Sequence, residues 1–137
     1  MVKIGNFEIE YNPNAAGKLS VKIEPGEDGS IWLTKVDIAQ AYGVLIPSVT
    51  AGLKSLAKSG DFNELVHVRV EHFLYQGKQC SADLYSLETV IALGFRMKGL
   101  KCSLFRKWVA MRLAESFQHK DKAVFFYMPG GCGGGIS

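Results

Sequence analysis

Residues 34–56, TKVDIAQAYGVLIPSVTAGLKSL, limit the possible folds of this chain more than any other stretch. Thr34 is placed as a helix N-cap, with Asp37 at N3, where a carboxylate favours the positive end of the helix. Val36, Ile38, Ala39 and Tyr42 recur at helical spacing and predict a first helix over 34–42. Gly43 follows, where a left-handed backbone has little steric cost, and Val44 closes the turn. Pro47 fits the first turn of a second helix, which has no use for its missing N–H. Val49, Gly52, Leu53 and Leu56 form that helix's buried face, and Ala39 or Gly52 is small enough for the two helices to cross closely. Ala39, Gly43 and Val49 keep the spacing of a DNA-binding helix-turn-helix. An ordinary helical corner satisfies the same short pattern.

The flanking sequence predicts strands. Residues 3–11 alternate loosely, and Leu19, Val21 and Ile23 alternate with polar neighbours. Residues 25–29, PGEDG, form a turn, and residues 30–33, SIWL, a strand leading into the first helix; the strands at 19–23 and 30–33 are expected to pair as a hairpin. Trp32 reads as a core anchor. Past the second helix, Phe62 and Leu65 suit a short helical turn. Residues 66–75 then read as a strand, with Val66, Val68, Val70 and His72 on one face and His67, Arg69, Glu71 and Phe73 on the other. Gln76, Gly77 and Lys78 supply a hairpin turn, and residues 79–85 return. A hairpin directly after a helix-turn-helix is the wing of a winged-helix domain, with Lys78 at its tip.

Ser86 caps a further helix containing Leu87, Val90, Ile91, Leu93 and Phe95, which ends near residues 97–99. A last helix is predicted over 100–119. Phe105, Val109, Leu113 and Phe117 form its apolar stripe, widened by Leu104, Trp108 and Met111, and the stripe reads as core. Residues 123–128, AVFFYM, are an apolar run suited to a final strand or a dimer contact. The predicted class is α+β: a winged helix-turn-helix with an N-terminal β-hairpin, a β-hairpin wing and two C-terminal helices. A single domain is expected over residues 1–128, with a flexible glycine-rich tail over 129–137.

Composition narrows the function. With 47% hydrophobic and 21% charged residues among 137, the chain folds around a core and is not disordered. No apolar run has the length of a membrane span, and residues 1–13 lack the pattern of a signal peptide. Cys80, Cys102 and Cys132 are odd in number and irregularly spaced, which predicts free thiols, with Cys80 and Cys102 buried, in a reducing, cytoplasmic compartment. No Cys or His pair has zinc-site spacing, His67 and His72 fall on opposite strand faces, and no hydrolase, metalloprotease or dinucleotide motif occurs. The expectation is therefore a chain that is not an enzyme, with no cofactor, metal, membrane or small-molecule partner. Net charge is +3, but acids outnumber Lys and Arg up to Leu65 and the reverse holds from Val66 onward. A basic half beside a helix-turn-helix suits phosphates, as it suits a merely solvated surface.

Four blocks carry a family resemblance: Ile31-Trp32-Leu33-Thr34; Ile38-Ala39 with Tyr42-Gly43-Val44; Tyr85-Ser86-Leu87 with the run from Val90 to Arg96; and Phe105-Arg106-Lys107-Trp108. Their order and spacing resemble the N-terminal domain of the virulence protein RhuM family. The resemblance implies a bacterial DNA-binding-like protein of phage-derived or mobile genes, with a regulatory role. On this reading double-stranded DNA is the partner and a homodimer the expected assembly. Ser48, Thr50, Ala51, Lys54 and Ser55 would enter the major groove, while Lys78, Arg106 and Lys107 hold the backbone. The second helix has no Arg, Asn or Gln for bidentate base contacts, unlike the polar and basic helix typical of the family. An alternative therefore stands beside the first: a protein–protein interaction module that kept the winged-helix fold without DNA binding, using Leu45, Ile46 and the 123–128 run.

Overall fold

Thr34 and Asp37 close a reciprocal capping box at the start of α1 (Lys35–Tyr42). The Asp37 amide donates to Thr34 Oγ1 at 3.2 Å, and the Thr34 amide donates to Asp37 Oδ2 at 3.1 Å. Two N–H groups that helix geometry leaves without partners are thereby satisfied. Thr34→Ala removes one half of the box and the anchor of the other. It is expected to cost about 1–2 kcal/mol, read as a lower urea midpoint with an unchanged m-value. Gly43 ends the helix in the left-handed region, at φ 66° and ψ 36°. The chain then turns through 106° into α2 (Ile46–Ser59). The buried face of α2 is the predicted one, Val49, Gly52, Leu53 and Leu56. In α1, Ile38, Ala39, Ala41 and Tyr42 are buried, while Val36 turns outward and stays 49% exposed.

The computed structural model describes residues 3–15, 18–60 and 67–118. The expected turn at Phe62 and Leu65, Val66, His119, the 123–128 run, and the glycine-rich tail with Cys132 and its boundary lie outside the described residues. Among the described residues the fold is α+β, with two antiparallel sheets and four α-helices. No single helix among them is long and apolar enough to cross a membrane.

The strands differ from expectation in their partners. β1 (Asn6–Asn12) pairs with β2 (Lys18–Glu24), with Ile9 opposite Val21. The 30–33 stretch contributes only β3 (Trp32–Leu33), which pairs elsewhere. Alternation identifies a strand and its faces, but its partner is fixed by the tertiary packing of those faces. β3 lies on the edge of a sheet formed with β4 (Val68–Tyr75) and β5 (Lys78–Ser86), in the order β3-β5-β4. An isolated bridge between Ile4 and Trp32 ties the residues before β1 to β3. Gln76 (φ 51°) and Gly77 (φ 78°) make the tight β4–β5 turn, with both central residues left-handed, as the sense of strand twist favours.

The two faces of β4 divide as the alternation predicts, and the face with the charged residues is the more covered one. Val70 is 51% exposed and His72 exposed, whereas Arg69, Glu71 and Phe73 on the other face are half-buried. The Arg69 guanidinium lies 5.1 Å from the centre of the Trp32 ring, so Trp32 is a half-buried platform for a cation rather than a core anchor. His67 precedes β4, and its Nδ1 is 3.1 Å from Ser86 Oγ; it does not share a strand with His72.

Ser86 caps α3 (Leu87–Gly94), its Oγ accepting from the Thr89 amide at 3.3 Å. This helix stops at Gly94, short of the predicted end. α4 (Leu100–Gln118) follows. Where the helices meet β1, Phe7, Tyr42 and Phe105 form a triangle with ring centres 5.6–5.7 Å apart, and Trp108 stacks on Phe105 at 6.1 Å. The Tyr42 hydroxyl donates to the Val90 carbonyl at 2.7 Å, joining α1 to α3. Burial pushes the pKa of that hydroxyl far above its ordinary value, so it remains a donor.

Two glycines set helix spacing by what they lack. A Cβ at Gly94 would lie 2.5 Å from the Tyr42 hydroxyl and 2.7 Å from the Phe105 ring. A Cβ at Gly52 would lie 2.8 Å from a Leu93 methyl. Gly52 thus admits α3, not α1 as the sequence suggested. The apolar stripe of α4 is core only at its start: Cys102 and Phe105 are buried, while Met111 and Leu113 are 60% and 50% exposed.

Candidate nucleic-acid interface

With Val49, Gly52, Leu53 and Leu56 turned inward, the opposite side of α2 is fixed by helix geometry. At about 100° per residue it carries Pro47, Ala51, Lys54 and Lys58, all exposed. Ser48 is also exposed, toward the α3 side, and Thr50 is half-buried on the other flank. Ser48, Ala51 and Lys54 are therefore reachable by a ligand, and Thr50 only at its edge.

Ser55 is already engaged. Its Oγ accepts from Arg96 Nη1 at 2.8 Å, while Arg96 Nη2 donates to Ser59 Oγ at 2.9 Å. The hydroxyl row on this flank holds a guanidinium at the α2 surface, and Ser55 acts through it.

Arg106 has a structural role within the fold. Its Nη1 donates to the carbonyls of Gly94 at 3.0 Å and Met97 at 3.1 Å. These acceptors lie at and just past the end of α3, where helix carbonyls run out of amide partners. Arg106 therefore closes the α3–α4 corner through Nη1, a structural role that its place in a basic half did not suggest. Arg106→Met should lower stability by about 1–3 kcal/mol and leave any DNA affinity of the folded protein unchanged; chemical denaturation and a binding titration on the same variant check both halves. Lys107, beside it in sequence, is exposed, as is Lys78 at the hairpin tip.

The corner has a second role, in positioning cations. Gly99 lies against Val44, with its Cβ position 3.6 Å from a Val44 methyl, and the Lys101 stem passes 3.5 Å from where a Gly43 Cβ would be. The segment between α3 and α4 thus rests on the turn between α1 and α2. Exposed Arg96 is held against α2, with exposed Lys98 two residues on, whereas half-buried Lys101 faces the α1–β1 side, where it lines cavities with Glu8, Glu10 and Asp37. No Asp or Glu occurs between residues 38 and 60, or between 89 and 114. The packed surfaces of α2 and the corner are therefore built from acid-free sequence. Sequence reading assigned Lys58 no part in the site, and Arg96, Lys98 and Lys101 entered only as members of the basic second half. The acid-free runs were the available signal, but that they pack on each other follows only from the fold.

At the N-terminal end of α2, Leu45 occupies the N-cap position and makes no side-chain capping bond. It is 76% exposed, Ile46 43%, and Val36 beside them on α1 49%. These side chains line an open groove with Val44 and Pro47.

Of the thiols, Cys102 is fully buried, and burial pushes its pKa up against the opposing pull of Arg106. Cys80, expected to be buried, is half-exposed on β5. Among the described residues no three His, Cys, Asp or Glu side chains gather as a metal-binding group. No family model, curated protein or solved structure matches the chain.

Proposed function

We propose that this chain is a winged helix-turn-helix protein that binds double-stranded DNA and acts as a regulator. The RhuM resemblance implies such a role in phage-derived or mobile genes. One observation carries the reading: the outward side of α2 and the corner packed against it present Lys54, Lys58, Arg96 and Lys98 from sequence without a single acid. A net charge of +3 is too small to attract a polyanion by itself; the segregation of cations onto one surface does so. The placement of β3 on the edge of the β4–β5 hairpin supports the winged arrangement, with Lys78 at the wing tip reaching the backbone. The reading includes a homodimer, whose two α2 helices would enter successive major grooves about 34–36 Å apart. Sedimentation of the free and DNA-bound protein tests that assembly.

Titration with mixed-sequence duplex DNA tests the binding. Tight association at low salt should weaken linearly in log–log form. Phosphate contacts by Lys54, Lys58 and Lys98 would give a slope of about −3 per protomer. Absence of binding at low salt overturns the reading. In that event the exposure of Leu45 at 76% favours the second reading, an interaction module on the same fold.

A further inference from the structure

We propose that α2 reads its duplex through the C5 methyl groups of thymine, using Leu45, Ile46, Pro47 and Ala51 as an apolar ledge. The inference rests on the DNA-binding reading above and names what that site recognises.

A helix-turn-helix brings the N-terminal part of its second helix against base edges. In this chain that part holds Leu45, Ile46, Pro47, Ser48 and Ala51. From Leu45 to Ser59 there is no Asn or Gln to pair with adenine and no Arg fork for guanine, and the lysines that could donate to guanine, Lys54 and Lys58, lie past the N-terminal part of the helix. The thymine methyl is the one apolar group on the floor of the major groove, and aliphatic side chains are its natural contact.

The fold does not otherwise account for these residues. The helix packs through Val49, Gly52, Leu53 and Leu56, and Leu45 and Ile46 lie outside that face at 76% and 43% exposure. Leu45 also stands where Ser, Thr, Asp or Asn would cap the helix, and contributes no capping bond. Its chemistry is thus spent neither on the core nor on the helix end. Charge selects duplex DNA over a protein as the occupant. Lys54 and Lys58 follow the ledge along α2, as expected where apolar base contact is flanked by phosphate contact.

Uracil keeps every hydrogen-bonding group of thymine and lacks only the methyl. Duplexes enriched by the protein from a random-sequence pool would be copied with either thymidine or deoxyuridine triphosphate and titrated at one salt concentration. A buried methyl is worth about fourfold in affinity, so losing two should weaken binding about fifteenfold. Leu45→Ala and Ala51→Gly should lower affinity for the thymine duplex more than for the uracil duplex, narrowing the difference between the two. Equal, tight binding of the two duplexes by the wild-type protein overturns methyl readout and leaves DNA binding standing. Failure to enrich or bind any duplex at low salt overturns DNA binding itself. The wild-type comparison needs no variant, so it decides even if a substitution disturbs folding.

Discussion

Truncating Phe105 to alanine is expected to lower the unfolding free energy by about 3–5 kcal/mol, much of the stability of a typical domain. The ring is 1% exposed and contacts Phe7 from β1, Tyr42 from α1, Phe95 at the end of α3, and Trp108 on its own helix. Alanine would leave a cavity bordered by all of these, and the shell cannot close on it, because Gly94 already holds α3 as near to the ring as backbone permits. Leu113→Ala, on the same stripe of α4 but 50% exposed, should cost under about 1 kcal/mol. Urea unfolding followed by circular dichroism compares the two. If Leu113→Ala proved the more damaging, the described packing of α4 would be wrong.

Reversing both lysines on the outer side of α2, as Lys54→Glu with Lys58→Glu, is the second large expected effect, and it falls on binding. Each lysine–phosphate contact contributes about 0.9 to the salt slope, hence close to a decade of affinity at ~0.1 M salt. Losing both should weaken binding by about 10²-fold and flatten the slope by about 2. Reversal adds repulsion, so these figures are lower bounds. Stability should barely change, since both side chains are exposed and no core contact depends on them. Fluorescence anisotropy over a salt series reads affinity and slope together. Unaltered binding by this variant would place the DNA surface somewhere other than α2.

The turn joining α1 to α2 was legible because its determinants are local. Thr34 and Asp37 stand three apart and bond as the spacing predicts, Gly43 takes the left-handed backbone, and the four buried residues of α2 follow helical periodicity. The β4–β5 turn was legible for the same reason, since Gly77 announces it. What failed was long-range. Alternation in β2 did not disclose that β1, and not β3, lies beside it. Val70 and Leu113 follow apolar patterns that run past the part of the molecule able to cover them. Arg106 looked like one more cation in a basic half, because nothing near it in sequence reveals carbonyls at Gly94 and Met97 waiting for a donor. The candidate site divides in the same way: Ser48, Ala51 and Lys54 follow from helix phase, while Arg96 and Lys98 join them only through the contact of α3 with Gly52.

Gly94 has a meaning for anyone comparing tolerated substitutions along this chain. It lies inside a helix, needs no unusual backbone angle, touches no candidate ligand, and yet any side chain there would meet the Tyr42 hydroxyl and the Phe105 ring. A position so restricted resembles a recognition residue in a mutational scan. Its intolerance would instead measure how far apart two helices are allowed to stand.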